Sequence, residues 1–472
     1  MSDPHDLVIS AEPPQTIRQW FPSEFRPLFE LALPVAGAEV AWMAMGLVDT
    51  LLLGRVSPEA LGGMALANGL FFFCMMLGMG LLFGLDYVVS VHQGAGRALE
   101  GRKSAVQGVW IAVLMTPVLM GVVLVGRFLL TGWGPEPEVI RYAQAFLDVV
   151  IWSLAPLLIF TALRRYLQSI GVVGPSLVIV VLANVINAGV GWVLIFGHFG
   201  FTPLEAVGAG WATTLARLFM MMGFMGVLWW RARRYGEDLE GVSLKPDPTR
   251  LKELLVLGGP AAVQAALEVG MFATTTVMAG LLPASSLAAH QIALSICSFT
   301  FMVPWGISQA GAVRVGFRLG EGDGQGASRA GWCALVLGAG FMVCSATALV
   351  LGRHTLVGWF TTDAETASQA TGLLVLAAIF QVFDGLQVVA TGVLRGVGDT
   401  ATPARVNLVG NWLLGVPVAY IATFPLGMGV SGLWVGLLVG LVSVGCTLLL
   451  RWRRVTFTLQ TGASLRTVAS IP

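Results

Sequence analysis

Charged residues are scarce in this sequence. Only 11% of its 472 residues are Asp, Glu, Lys or Arg, whereas 56% are hydrophobic. A soluble domain usually carries about 25% charged residues, so the composition favours a membrane protein. The net charge of +1 gives no reason to expect a nucleic-acid partner.

Metal, nucleotide and signal motifs are also missing. The five cysteines lie in apolar stretches without the spacing of a zinc site, so they are expected to pack between helices. There is no Walker loop, which excludes direct use of ATP. The glycine-containing run 207–213 opens an apolar helix and does not follow a strand, unlike a dinucleotide-binding loop. No cluster of His, Asp or Ser indicates an enzyme, and no cofactor is expected.

Long apolar runs dominate what is present. A helix needs about 20 mostly apolar residues to cross the hydrocarbon core, and in lipid only a helix satisfies the backbone within one such run. The sequence therefore predicts an all-α membrane protein with twelve transmembrane helices. They are expected near 28–54, 61–84, 104–127, 139–162, 175–197, 205–230, 252–282, 288–317, 327–351, 365–394, 403–424 and 428–452.

Lysine and arginine are distributed unequally between the two sides of these spans. Of the 27 residues, 22 fall on one side, four on the other, and only Arg217 falls within a span. The positive-inside rule places the richer side in the cytoplasm. Both termini are therefore predicted to be cytoplasmic. The first 26 residues lack the apolar core of a signal peptide, and a bacterial inner membrane is the expected location.

The two halves of the chain align with each other. Pro34 matches Pro260 at an offset of 226 residues, and further on Asn184 matches Asn411 at 227. Six-helix repeats that begin on the same side are related by an axis along the membrane normal, and transporters use the cleft between such repeats. The predicted segments are a cytoplasmic N-terminal tail (1–27), an N-lobe (28–230), a cytoplasmic linker (231–251), a C-lobe (252–452) and a cytoplasmic C-terminal tail (453–472).

Acidic residues within the second-half spans have polar residues at helical spacing. Glu268 has Gln264 four residues before it, and Asp384 has Gln381 and Gln387 three residues to either side. Each helix thus presents one polar stripe that should face the bundle interior. If the stripes meet, the paired carboxylates form a proton site or an oxygen cage for Na⁺. The alternative is that each acid hydrogen-bonds a broken helix, but intramembrane acids are functional by default.

The first half carries a second polar set. Asp49 shares a helix stripe with Glu39, and Asn184 and Asn187 interrupt an apolar run in helix 5. Asp49 and these amides are candidates for a second ion or proton site, with Glu39 as an accessory residue. A structural hydrogen-bond network between helices is an equally good reading. Arg217 is expected to pair with an acid of the first half.

The sequence also suggests roles for several other polar or helix-bending residues. Pro34 and Pro260 lie within helices 1 and 7, where a missing backbone hydrogen bond permits either a hinge or a static kink. Asp86, near a loop, is expected to be structural, and Asp148 to be interfacial. His290 is expected to be a hydrogen-bonded packing residue.

Several segments, in this order, resemble the multidrug and toxic compound extrusion (MATE) family over residues 28–452. They are GLVDT (46–50), LDYVVSVHQGAGR (85–97), LQSIGVVGPS (167–176), GAGWATTLAR (208–217), AAHQIALS (288–295), FMVPWGISQAGAVRVG (301–316) and LRGVGDT (394–400). The resemblance implies two V-shaped lobes around a central cavity. It also implies a monomeric exporter that exchanges Na⁺ or H⁺ for organic, often cationic, drugs among membrane lipids.

By the same resemblance, Asp49 corresponds to the acid of the family's first helix, Glu268 and Asp384 to the C-lobe acids, and Asn187 to a helix 5 amide. Gly191 stands where a second amide is common, and Phe380 where some relatives carry a tyrosine. The coupling ion stays open between Na⁺ and H⁺.

The sequence is compatible with two functions. The first is a secondary active multidrug exporter that works by alternating access. The alternative is a flippase for lipid-linked saccharides or other lipids, which needs several cationic residues in its cavity. Arg217 is the one cation assigned to a span, and this argues against a flippase.

Overall fold

The computed structural model describes residues 17–132, 136–236 and 241–460, without the side chains of 17–20 and 131. Within this part of the chain, twelve helices are long and apolar enough to cross a membrane, which confirms the predicted number of spans. We number these helices as follows: α1 Phe21–Leu53, α2 Pro58–Gly94, α3 Ala98–Leu129, α4 Pro137–Ser169, α5 Gly174–Phe196, α6 Glu205–Tyr235, α7 Pro248–Ala279, α8 Ala284–Gly320, α9 Gly324–Gly358, α10 Ala364–Gly396, α11 Ala401–Thr423 and α12 Val430–Gln460.

Several helices continue beyond their apolar spans into segments predicted as tails or linker. Helix begins at Ile17, inside the predicted tail 1–27, and α12 continues to Gln460, inside the predicted tail 453–472. α6 ends at Tyr235 and α7 begins at Pro248, so the ends of the predicted linker 231–251 are helical. A hydropathy window marks only the apolar part of a helix. The polar turns beyond it are held by side-chain contacts that composition does not show.

By the packing of its residues, the chain forms two compact units. The N-unit comprises residues 37–89 and 97–262, apart from undescribed residues within it. The C-unit comprises, among the described residues, 17–36, 90–96 and 263–460. These boundaries do not coincide with the predicted lobes 28–230 and 252–452, which stay a prediction.

Three of the twelve helices are irregular inside their spans. α2 is interrupted at Leu82–Phe83, between the segments Pro58–Leu81 and Gly84–Gly94. α4 contains one 3₁₀ turn at Ile151–Ser153. α11 contains a π-helical segment at Leu408–Gly415 between two α-helical segments. Such breaks expose backbone groups or redirect side chains, and they often accompany functional sites.

The C-unit has an aromatic core along α8, α10 and α12. Trp434 and Phe380 are completely or almost completely buried, and their ring centroids lie 5.3 Å apart in an edge-on arrangement. At the start of α1, Glu24 is buried, and its carboxylate accepts hydrogen bonds from Arg314, at 2.9 Å, and from Arg318. These contacts fix α10, which carries Asp384, within the C-unit, and they tie the start of α1 to α8.

Candidate functional site

Most buried carboxylates in the structure form an ion pair with arginine. In the N-unit, Glu39 pairs with Arg164 at 2.6 Å and Asp86 with Arg165 at 3.1 Å. In the C-unit, Glu24 pairs with two arginines, and Asp399 pairs with one at 2.9 Å. A buried charge is tolerated when it is paired and hydrogen-bonded, so these acids have a structural explanation.

Glu268 and Asp384 of the C-unit differ from that group. Neither forms an ion pair with any residue that the structure describes. Asp384 is 5% exposed, its Oδ1 has no hydrogen-bond partner, and it is near enough to Glu268 for the two charges to interact. Glu268 accepts one hydrogen bond, from Nε2 of Gln387 at 3.3 Å. The two acids of α7 and α10 are therefore linked through Gln387, and neither has an arginine or lysine paired with it among the described residues.

The predicted accessory amides lie along the same two helices. Nε2 of Gln264 donates to the Thr391 hydroxyl at 3.2 Å, which joins α7 to α10. Oε1 of Gln381 accepts from the Thr300 hydroxyl at 3.0 Å, while its Nε2 has no partner. Oε1 of Gln387 also has no partner. Each of these last two glutamines thus keeps one buried polar atom available for a ligand or water.

Aromatic side chains border this acidic pair. Phe272 lies one helical turn after Glu268, and Phe380 one turn before Asp384. The two rings contact each other edge-on with centroids 6.3 Å apart. Phe380 has no hydroxyl, so this position contributes no polar atom to the acidic pair. The carboxylates are consequently flanked by an apolar wall.

His290 is a buried hydrogen-bonded residue in the C-unit. Its Nδ1 accepts a hydrogen bond from the Trp434 indole at 3.2 Å, and its Nε2 lies 3.3 Å from the Thr276 hydroxyl. Because the indole can only donate, Nδ1 carries no proton in this arrangement. The histidine is accounted for as a packing group that satisfies the polar atom of a large aromatic residue.

Asp49 is the corresponding acid of the N-unit. It is 6% exposed, and its Oδ2 accepts a hydrogen bond from the Thr213 hydroxyl at 3.0 Å, whereas Oδ1 has no partner. The completely buried Asn187 lies beside it, with both amide atoms short of a well-formed hydrogen bond. Sequence reasoning did not identify Thr213, which lies 164 residues from Asp49.

Arg217 acts on Asp49 through its charge and contacts other groups directly. Its Nη1 donates to the Ser153 hydroxyl at 2.5 Å, and its guanidinium lies over the Phe71 ring, 4.8 Å from the centroid. An acid partner was expected for Arg217, and Asp49 is the acid whose charge interacts with it. The structure gives the two no direct ion pair.

Asn184 and Glu39 are engaged elsewhere in the N-unit. The Asn184 amide nitrogen donates to the backbone carbonyls of Ala41 and Val180, both at 2.9 Å. The Glu39 carboxylate is held by Arg164, so its charge is already neutralised. A Cβ at Gly191 would lie 3.1 Å from Leu52, so a second amide there would have to displace a packed side chain. Asn187 is the helix 5 amide that the structure places beside Asp49.

Two arginines that follow the fourth predicted span are buried in the N-unit. Arg164 and Arg165 lie just beyond the predicted span 139–162, but they are within α4 and are 4% and 3% exposed. Arg165 also lies over the Phe83 ring at the break in α2, 4.4 Å from the centroid. Asp86 is thus structural, as expected. At the edge of the unit, the partly exposed Asp148 pairs with Arg127 at 2.6 Å.

The candidate hinges and the possible metal ligands are two further expectations for the site. Pro34 lies inside the helix that starts at Ile17, and Pro260 lies inside α7, and a hinge at either position stays a prediction. Among the described residues, no group of three or more His, Cys, Asp or Glu side chains is arranged to hold a metal ion. The pairs described above offer two carboxylates with amides, a set that suits a monovalent cation or a proton.

A sequence profile of the MatE family matches the chain twice, at residues 34–193 and 260–421. The chain belongs to the MATE family. The two matches begin at Pro34 and Pro260, which the internal alignment of the sequence also paired. Profile and alignment therefore agree on a duplicated MATE-family protein.

Curated relatives of this MATE-family chain cover nearly all of it. A protein of Mesorhizobium japonicum, named "Probable multidrug resistance protein NorM", is 35% identical over 91% of this chain and 94% of its own length. A protein of the same name from Rhodopseudomonas palustris is 36% identical over 90% of this chain and 91% of its own.

Solved structures share the fold at low sequence identity. The eukaryotic MATE transporter AtDTX14 superposes with a TM-score of 0.84 at 20% identity, covering 93% of this chain and 99% of the other. A transporter of the MOP superfamily from Pyrococcus furiosus superposes with a TM-score of 0.81 at 18% identity, covering 95% and 100%. These likenesses confirm the predicted MATE-like all-α fold of twelve helices.

Proposed function

We propose that this MATE-family protein is a secondary active exporter that exchanges Na⁺ or H⁺ for organic, often cationic, compounds by alternating access. The observation that carries the proposal is the contrast among buried and partly buried acids. Glu268 and Asp384 have no arginine partner in the described structure, whereas Glu39 and Asp86 each have one and Glu24 has two. The names of the curated relatives, multidrug resistance proteins, support this direction.

The missing partner explains why a cation binds. An ionised carboxylate taken out of water is unfavourable unless a positive charge neutralises it, and two adjacent carboxylates repel each other. The neutral amides of Gln387 and Gln381 supply hydrogen bonds and oxygen ligands but no charge. A bound Na⁺ or a proton supplies that charge, and Glu268 with Asp384 is the site where it binds.

A second site in the N-unit follows the same logic more weakly. Asp49 holds the cation there, with Asn187 beside it and Thr213 already donating to one oxygen. Asn184 lies one turn from Asn187 and keeps its Oδ1 without a partner. Cation binding at either site stabilises one of two global states of the transporter, and the organic substrate stabilises the other.

The setting of the protein is part of the proposal. We place the chain in a bacterial inner membrane as a monomer with both termini in the cytoplasm, in contact with membrane lipids and without enzymatic activity. The unequal distribution of lysine and arginine supports this orientation. A flippase needs cations free to bind phosphate. Arg164 and Arg165 are additional buried cations, but each is neutralised by a carboxylate.

Efflux from everted membrane vesicles tests the proposal. Ethidium serves as the organic cation, and a Na⁺ gradient or a pH gradient is imposed separately. The wild-type chain should accumulate ethidium under one of the two gradients. Glu268→Gln and Asp384→Asn should reduce accumulation to the level of vesicles without the protein, because the neutral side chains no longer require the coupling cation.

Asp148→Asn is the matched control. It also neutralises an acid, but Asp148 is half exposed and its pair with Arg127 lies at the surface, where such a pair contributes about 0–1 kcal/mol. This variant should transport like the wild type. Undiminished accumulation by both Glu268→Gln and Asp384→Asn, at equal protein levels, would refute the assigned roles.

A further inference from the structure

The π-helical segment Leu408–Gly415 lies in α11, a helix that contributes no carboxylate to the proposed site. π-helices are rare, and single π turns frequently mark functional sites. Each residue of an α-helix turns the chain by about 100°. A π turn takes up an additional residue, so it changes the direction of the side chains around it. The side chain of Trp412 therefore owes its direction to this segment.

Two asparagines near Trp412 in α11 are buried without hydrogen bonds. Asn407 and Asn411 are completely buried, and none of their four amide atoms has a hydrogen-bond partner in the structure. Oδ1 of Asn411 faces Gly440 of α12, where an added Cβ would come within 2.7 Å of it. Each unsatisfied buried polar group costs about 1–3 kcal/mol. Such costs persist where another contact requires the same backbone geometry.

The contact that this geometry provides is made by the Trp412 indole. Its Nε1 donates to the backbone carbonyl of Leu267 at 2.9 Å, and Leu267 directly precedes Glu268 in α7. On the other side of Glu268, a Cβ at Gly270 would lie 3.0 Å from Cζ2 of Trp412, so glycine allows the ring to approach. One side chain therefore contacts the α7 backbone both before and after the acid.

We propose that Trp412 is a positioning residue that sets the place of Glu268 in the coupling-cation site. The inference rests on the proposed function of Glu268. Gln387 of α10 holds the carboxylate itself, at 3.3 Å, and the indole of α11 holds the backbone that carries it. The π segment fixes the indole, so α11 takes part in cation binding without contributing a ligand.

The test measures how the coupling cation stabilises the purified full-length protein in detergent. Thermal melting is followed against NaCl at constant ionic strength, with choline chloride as replacement, and separately against pH. Trp412→Phe keeps an aromatic ring but loses the indole N–H. It should shift the half-effective cation concentration about two- to ten-fold, as expected for one hydrogen bond. Gly270→Ala should shift it in the same direction, because the added methyl group displaces the ring.

Trp110→Phe is the matched control. The Trp110 indole also donates to a backbone carbonyl, that of Leu244 at 2.8 Å, but it does so in the N-unit. This variant should lower the melting temperature and leave the half-effective cation concentration unchanged. The general effect of losing an indole hydrogen bond is thereby separated from an effect on Glu268.

The outcomes separate the inference from the function on which it rests. In a chain that already carries Asp49→Asn, so that the second proposed site is removed, Glu268→Gln should abolish the remaining cation dependence; if it does not, Glu268 is not a coupling site, and both proposals are overturned. If Glu268→Gln abolishes it but Trp412→Phe and Gly270→Ala keep the wild-type half-effective concentration, the positioning role alone is refuted. Should Trp412→Phe fail to fold, Gly270→Ala decides the question.

Discussion

The buried ion pair between Glu39 and Arg164 leads to a prediction whose size follows from its geometry. The two side chains lie 2.6 Å apart and are 8% and 5% exposed, respectively. Glu39→Gln removes one charge and leaves the guanidinium buried without compensation. Breaking a buried pair in this way costs about 3–5 kcal/mol. We expect Glu39→Gln to lower the free energy of unfolding by about that amount.

The double variant distinguishes loss of the pair from loss of packing. With Glu39→Gln and Arg164→Gln together, no uncompensated charge of this pair remains, and the two amides can hydrogen-bond to each other. Replacing a buried pair by well-packed hydrophobic residues of similar volume is often close to neutral in stability, and a pair of hydrogen-bonded amides likewise leaves no buried charge without a partner. The double variant should therefore recover most of the loss. Unfolding by SDS in mixed micelles, followed by circular dichroism, gives the free energies for this double-mutant cycle.

A surface pair provides the comparison. Arg127 and Asp148 also approach within 2.6 Å, but their side chains are 33% and 49% exposed. Asp148→Asn should cost at most about 1 kcal/mol, because at the membrane interface, where Asp148 is expected to lie, water screens the pair and solvates the remaining charge. Equal losses for Glu39→Gln and Asp148→Asn, or a double variant less stable than Glu39→Gln alone, would contradict the reasoning.

Three further predictions concern single sites. Gly436→Ala should destabilise the protein by about 1–3 kcal/mol, because the new methyl group collides with the α11 backbone, whereas Gly121→Ala, with open space around it, should not; thermal melting compares the two. His290→Leu should cost about 1–3 kcal/mol in the same SDS titration, because it leaves the buried Trp434 N–H without an acceptor. The backbone N–H of Thr366, at the start of α10, and the hydroxyl of Thr366 hold the pKa of Asp363 below its usual value. The stability from its ionised form is therefore present at neutral pH and lost as the pH falls through that lowered pKa, so melting curves of Asp363→Asn should lack this acid-side decline.

The sequence sufficed for the number of helices because crossing the membrane imposes a simple rule of length and polarity. The polar stripes of α7 and α10 could also be predicted from the sequence. Helical spacing puts Gln264 with Glu268, and Gln387 with Asp384, on common faces, and the structure joins the two stripes through hydrogen bonds between these helices. Local periodicity thus indicated which faces meet.

The partners of buried charges could not be predicted in the same way. Arg164 and Arg165 follow an apolar span directly and read as loop cations, while their acids lie 125 and 79 residues away. Thr213 and Trp412 depend equally on contacts between distant segments. The π segment of α11 contains Gly410 and Gly415 and is followed by Pro417, signals that permit a break in a helix but do not specify a π turn. Tertiary packing determines these features.

The burial of Glu24 also has a consequence for biosynthesis. This acid lies at the start of the first helix, and its arginine partners follow 290 and 294 residues later in the chain. At about 5–20 residues per second, a ribosome needs about 15–60 s to synthesise that interval. During this time the carboxylate has to stay in contact with water, since its counter-charge does not yet exist. A segment made long before its partners is therefore among the last to reach its final place.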